Sequence, residues 1–306
     1  MADITALMVK ELREKSGAGM MDAKKALVEN NGDMDAAVDW LRTKGLAKAE
    51  KKSSRTAAEG LVVFSVDGTK GAIVEVNSET DFVARNENFQ GFAQKVVNAA
   101  KSANNVEELS SATLDGGKTV KETITDMIAT IGENMNVRRM TNLEVSNGKV
   151  VGYMHNAVAP AMGKIGVLVA LESEGDADKL DVLGKQIAMH IAAAFPRFLS
   201  RDDVDPTVIE REKAVLIEQA VAEGKPEEIA QKMVEGRMRK FYEEICLLEQ
   251  TFVIDGETKI SDLLKKAEAD VGAPVALKSY ERFQLGEGIE KEVEDFAAEV
   301  AKTANG

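Results

Sequence analysis

Near residue 60 the spacing of apolar residues changes from helical to extended, and the same change recurs near residue 150. The stretch Leu61-Val62-Val63-Phe64-Ser65-Val66, the turn Asp67-Gly68, and Gly71-Ala72-Ile73-Val74-Glu75-Val76 together read as a hairpin of apolar strands. Phe89, Phe92, Val96 and Ala100 then fall on one face of a helix. Residues 119–131 read as a second helix stopped by Gly132, and 137–145 as a further strand. The second half repeats that order. Residues 149–154 and 165–171 form a strand pair, and Leu183, Ile187, Ala188 and Ile191 mark a helix. Residues 261–270 form another helix, Gly272 breaks it, and 275–285 are extended. Strand-strand-helix-helix-strand, twice, predicts an α+β protein with an internally duplicated core.

Two further segments frame that core. The first 45 residues read as three short helices. Ile4, Leu7, Met8 and Leu12 line the first, and Ser16-Gly17-Ala18-Gly19 ends it; Asn30-Asn31-Gly32 ends the second. Asp33 caps the third, whose buried side is Ala36, Ala37, Trp40 and Leu41, and Gly45 is expected to close it. Residues 48–55 then read as a polar, basic linker. Three helices of this size bury little surface alone, so one face is expected to rest on another part of the chain. Within the second repeat, 207–222 and 227–247 are helical and are joined by Glu223-Gly224-Lys225-Pro226, an αα-hairpin signature. Ile229, Met233, Met238 or Arg237, Phe241 and Ile245 are expected near one side of its second arm. Such a hairpin is expected to project as a partner-binding arm or structural insertion.

Composition narrows the chemistry. A net charge of −13 over 306 residues argues against binding to nucleic-acid backbones, which needs a basic face. One cysteine, Cys246, excludes a disulfide framework and cysteine-based zinc clusters, and it reads as a buried helix residue. Two histidines leave no His-rich metal site. Residues 1–10 lack the layout of a signal peptide, and no window approaches 18 apolar residues. The expectation is a cytoplasmic protein without membrane or direct nucleic-acid partners and without cofactor or bound metal.

No catalytic constellation is present. There is no phosphate-binding GKS/GKT loop, no G-x-S-x-G and no H-E-x-x-H, and Ser16–Gly19 follows a helix rather than a strand. Glu243-Glu244 reads as a solvated helix face. His190, among Ala188, Met189, Ile191 and Ala192, reads as a core histidine. His155 follows a strand and precedes a loop at 156–160, so exposure is expected, while position alone leaves its role open. The unusual segment is Glu75-Val76-Asn77-Ser78-Glu79-Thr80-Asp81-Phe82-Val83-Ala84-Arg85-Asn86. Read locally, Thr80 or Asp81 caps a short turn and Phe82 plugs the core. The other reading presents the aromatic, beside a carboxylate, as an anchor for a partner pocket.

Two stretches carry a family resemblance: residues 12–27 (LREKSGAGMMDAKKAL) and 75–85 (EVNSETDFVAR). They resemble the bacterial elongation factor Ts family, guanine-nucleotide exchange factors for elongation factor Tu. Ile131-Gly132-Glu133-Asn134, Ile187–His190, Lys232–Met238 and Gly286–Glu290 agree in order, so the likeness covers nearly the whole chain. It implies a three-helix N-terminal domain similar to ubiquitin-associated domains with a linker (1–55) and two related α+β core subdomains (56–146; 147–204 with 246–286). It also implies a protruding helical hairpin (205–245) and a C-terminal helical module (287–306).

The resemblance also implies roles. The turn Thr80-Asp81-Phe82-Val83 would disturb the magnesium region of Tu's nucleotide site. Phe82 would be an aromatic wedge between helices of the G domain, with Asp81 its acidic neighbour. Arg13, Met20, Met21 and Lys24 would belong to an N-terminal contact surface, and the helix 289–301 to a C-terminal one. Ile131 and Gly132, with Val253 and Ile254, fall on family contact positions, and His155 on a contact histidine. Of Met20 and Met21, one is expected to be exposed, methionine suiting adaptable surfaces. Whether the hairpin makes a homodimer is left open. The alternative function is a protein-binding adaptor that uses the three-helix domain without exchange activity.

Overall fold

The computed structural model describes residues 4–224 and 226–290. These divide into two compact units, one of residues 4–63, 74–140 and 284–290, the other of 64–73 and 141–283. Both mix helix and sheet, as the α+β reading requires.

The first unit begins with α1 (Ala6–Ser16), α2 (Met20–Glu29) and α3 (Met34–Lys52). Thr5 and Asp33 cap α1 and α3 with side-chain acceptors, and Gly17 ends α1 at φ 71°, a left-handed conformation that glycine adopts without strain. Val9, Leu12, Ala23, Ala26, Leu27 and Ala37 form a small core. Leu7, by contrast, is exposed. The helix does not close at Gly45. There α3 packs on α7, where a β-carbon on Gly45 would lie only 3.4 Å from that of Ala129. Helix continues through Gly45 and the expected linker to Lys52. The same packing supplies the surface on which three small helices were expected to rest.

Then come β1 (Glu59–Asp67) and β2 (Lys70–Ser78), whose hairpin tip belongs to the second unit, the short α4 (Asp81–Ala84), α5 (Glu87–Ala100) and α6 (Val106–Ser111). Next are α7 (Val120–Ile131) and β3 (Met135–Glu144). β2 pairs with both β1 and β3. Phe89, Phe92, Val96 and Ala100 are buried as their spacing predicts, each large side chain stabilising the fold by about 1.5–3 kcal/mol. A capping box between Thr119 and Glu122 starts α7, and Gly132 ends it at φ 87°.

The second unit contains β4 (Gly148–Ala159) and β5 (Met162–Glu172), paired antiparallel from Gly148 opposite Glu172 to Ala159 opposite Met162. The predicted loop at 156–160 is therefore mostly strand. With successive β4 residues 155–158 exposed there is no alternation to read, yet the ladder of backbone bonds continues, interrupted by a register shift between Ala157 and Ala159. Next are α8 (Ala177–Ala194), the hairpin α9 (Pro206–Ala222) and α10 (Glu227–Ile245), then α11 (Ile260–Val271) and β6 (Ala276–Gln284), which pairs β5. Val167, Val169 and Leu171 of β5 pack with Leu180, Ile187 and Ile191 of α8 and with Ile260 and Leu264 of α11. In the hairpin, Val234, Met238 and Ile245 are buried, whereas Ile229 is half-exposed. Cys246 follows α10 and is buried with Val204 and Ile245. Desolvation raises its thiol pKa to about 11, so it is an inert structural cysteine.

Candidate protein-docking surfaces

β2 is buried along its length after Lys70, and its polar end turns into the segment singled out by sequence. Ser78 Oγ donates to the Thr80 carbonyl at 2.9 Å. Thr80 occupies the cap position of α4, but its hydroxyl does not cap. It donates instead to Glu133 Oε1 at 2.7 Å, while its backbone N–H donates to Glu133 Oε2 at 2.9 Å. Downstream, Asn86 caps α5, its own N–H donates to the Val83 carbonyl at 2.9 Å, and Gln90 donates to the Ala84 carbonyl at 2.9 Å. Adjacent helical positions point about 100° apart. Val83 and Ala84 consequently face inward and are buried, while Asp81 and Phe82 face out. Phe82 is 78% exposed. The core-plug reading is thus overturned: Val83 is the plug, and Phe82 is presented on a turn held from both sides.

Ile131, partly buried, and Gly132, exposed, immediately precede the Glu133 that grips this turn. The α1–α2 loop lies beside the end of α7, where Gly17, Asn88, Thr130 and Ile131 line a shared groove. On α2 both methionines are exposed, Met20 at 61% and Met21 at 76%, rather than one of the two. Ala23, Ala26 and Leu27 alone fill the inner face. Arg13 and Lys24 are exposed too, Arg13 making only a 3.4 Å contact to the Ala18 carbonyl. The first unit therefore carries Arg13, Met20, Met21, Lys24, the Thr80–Val83 turn, Ile131 and Gly132.

His155, Val253 and Ile254 belong to the second unit. His155 is exposed on β4, its Nδ1 bonded to the Tyr153 hydroxyl at 3.2 Å. Val253 and Ile254 are half-exposed at the tip of a turn whose Phe252 is buried. Asp255 holds the turn by accepting the Glu257 and Thr258 N–H groups, which lower its pKa to about 2. Behind it lies His190, fully buried as expected. Its Nε2 bonds Gln250 Oε1 at 2.9 Å and its Nδ1 accepts the Val253 N–H at 3.2 Å. Burial lowers its pKa against the smaller raising effect of Gln250, so the ring is neutral and braces the exposed turn.

The sequence reading missed two carboxylates. Glu133 was seen only as part of a shared motif. Glu75, fully buried, accepts bonds from Asn77, Arg138, Arg139 and the Gly286 N–H, which tie residues 284–287 to β2 and β3. Burial alone would raise its pKa, but the bonds from Gly286, Asn77 and Arg139, with the charge of Arg139, hold it below the usual carboxylate range. A charged residue inside an apolar strand, Val74-Glu75-Val76, was the available signal. The helix expected at 289–301 lies, apart from its first two positions, outside the described residues.

Among the described residues no group of His, Cys, Asp and Glu is placed to hold a metal ion, and no helix is long and apolar enough to cross a membrane. What the geometry offers is apolar side chains displayed on braced turns, a candidate surface for docking another protein. A family model described as "Elongation factor TS" matches residues 79–287. The chain is 61% identical to the elongation factor Ts of Rhodospirillum rubrum over 98% of both chains. It is 61% identical to that of Rhizorhabdus wittichii over the full length of each. With that of Rhodospirillum centenum it shares 62% identity over 99% of this chain and all of the other. The chain belongs to the elongation factor Ts family, and so to the elongation factors of protein biosynthesis.

Proposed function

We propose that this protein accelerates GDP release from elongation factor Tu by seating the Phe82 turn in the GTPase's G domain and disturbing its magnesium and phosphate contacts. The observation that carries this reading is the 78% exposure of Phe82 on a turn whose neighbours Val83 and Ala84 are anchored in the core. A GTPase retains GDP through backbone donors and a magnesium ion at the β-phosphate. Loss of the metal and of one or two charge-assisted hydrogen bonds, each about 1.5–3 kcal/mol, removes several kcal/mol of retention. At about 1.4 kcal/mol per tenfold, release quickens by roughly a thousandfold. The factor need only bind the open state better than the closed one, and by linkage nucleotide weakens the protein complex equally. No covalent bond is made or broken.

Arg13, Met20, Met21 and Lys24, with Ile131 and Gly132, extend the contact around the wedge; His155, Val253 and Ile254 supply a second contact from the other unit. The test is stopped-flow release of a fluorescent GDP from elongation factor Tu, with and without the full chain. Acceleration saturating with factor supports the reading; complex formation without acceleration leaves a binding adaptor instead.

A further inference from the structure

The Phe82 turn and the loop after α7 each reach a carboxylate into the other's backbone. Glu133 accepts from the Thr80 N–H at 2.9 Å and from the Thr80 hydroxyl at 2.7 Å. In return Glu79, at the entry to the turn, accepts the Asn134 N–H at 2.5 Å and an Arg55 guanidinium N–H at 3.4 Å. The Asn134 side chain donates to the Arg55 carbonyl at 2.7 Å, which adds the segment between α3 and β1 to the same bracket. We propose that Glu133 is a positioning residue for nucleotide exchange, acting through the Thr80–Val83 turn without touching the partner. The inference rests on the reading of that turn as the wedge.

The physical reason lies in the size of α4. Four residues cannot hold a helical turn by themselves, since nucleation fixes more dihedral angles than it gains hydrogen bonds. Thr80 has the residue type and backbone shape of an ordinary cap, yet gives its hydroxyl hydrogen to Glu133 rather than using its oxygen on the helix. Bonds to an ionised carboxylate in a part-buried setting are among the stronger ones available. A ring held this way enters a pocket already ordered, whereas a ring on a loose turn must be ordered at the moment of binding. Gly132, at φ 87°, turns the chain out of α7 immediately before Glu133. The bracket therefore also sets the spacing between Phe82 and the Ile131-Gly132 pair.

The test compares full chains carrying Phe82→Ala, Glu133→Ala, Glu133→Gln, Thr80→Val, and Phe82→Ala with Glu133→Ala together. GDP release from elongation factor Tu is followed over a range of factor concentrations, so that the plateau rate and the half-saturating concentration separate. Glu133→Ala is expected to lower the plateau about tenfold, the equivalent of one charge-assisted hydrogen bond. Glu133→Gln, keeping one acceptor oxygen, restores part of the rate, and Thr80→Val, which removes only the hydroxyl donor, gives a smaller loss of the same kind. Thr80→Val also carries the test should Glu133→Ala not fold. In the Phe82→Ala background Glu133→Ala costs less than it does in the parent chain. A normal plateau for Glu133→Ala beside a slowed Phe82→Ala overturns the positioning role, as do independent losses that multiply in the double variant. An unaffected Phe82→Ala overturns the wedge reading itself, and the inference with it.

Discussion

Replacing Phe82 by alanine separates what the ring does for the fold from what it does for a partner. The ring is 78% exposed in the free chain. Its removal takes little from the core, and a surface substitution of this kind changes stability by about 0.5 kcal/mol or less. In a complex that encloses the ring the arithmetic differs. An aromatic side chain buries about 150–250 Å². The exposed share, at about 25 cal/mol per Å², then corresponds to about 3–5 kcal/mol, or roughly 10²–10⁴-fold in an equilibrium constant. The assay is GDP release from elongation factor Tu against factor concentration, run beside calorimetric melting of the free variant. The expected outcome is an unchanged melting temperature with stimulated release slowed by roughly two orders of magnitude or more. Equal rates for variant and parent refute the wedge. A large drop in melting temperature refutes the premise that the ring lies outside the core.

Other consequences follow from the same geometry. Val83→Ala should do the reverse of Phe82→Ala, destabilising the free chain by about 1–2 kcal/mol in denaturant titration, because Val83 is the buried member of the turn. Met20→Ala with Met21→Ala should leave melting unchanged while raising the factor concentration needed for half-maximal exchange, since both side chains face solvent. Glu75, its pKa held below the glutamate range, contributes stability that is fully present above its unfolded pKa of about 4.3 and is lost as pH falls through the lower folded value. Glu75→Gln should therefore cost about 3 kcal/mol at neutral pH and flatten the acid limb of a pH-melting curve; an identical acid limb would refute the assignment. Gly286→Ala should destabilise the same region, since Gly286 sits at φ 71° and a β-carbon there would lie 2.5 Å from the Ala58 carbonyl.

Much of the architecture was legible because it is written in local periodicity. The i, i+3, i+7, i+11 spacing of Phe89 to Ala100 and the left-handed glycines at 132 and 272 each act within one or two turns of chain. The misreadings arise where the deciding contact leaves no apolar pattern of its own. Gly45 looked like a stop, yet α3 continues through it, packed against α7, whose Ala129 is 84 positions away. The strand beyond His155 was hidden because its partner residues supply backbone bonds rather than an apolar pattern.

The candidate site divides along the same line. That the chain carries no GKS/GKT, G-x-S-x-G or H-E-x-x-H motif, and that 75–86 is an odd polar segment closing an apolar strand, needed only the residues. Which of Phe82 and Val83 faces solvent did not follow from them, because both are apolar and adjacent. The turn is held by Glu133, more than fifty residues away, and by Asn86 and Gln90 on its far side. Side-chain chemistry determined that an aromatic stands beside a carboxylate; the tertiary structure, in which Val83 and Ala84 take the buried side of the turn, decided that it points outward.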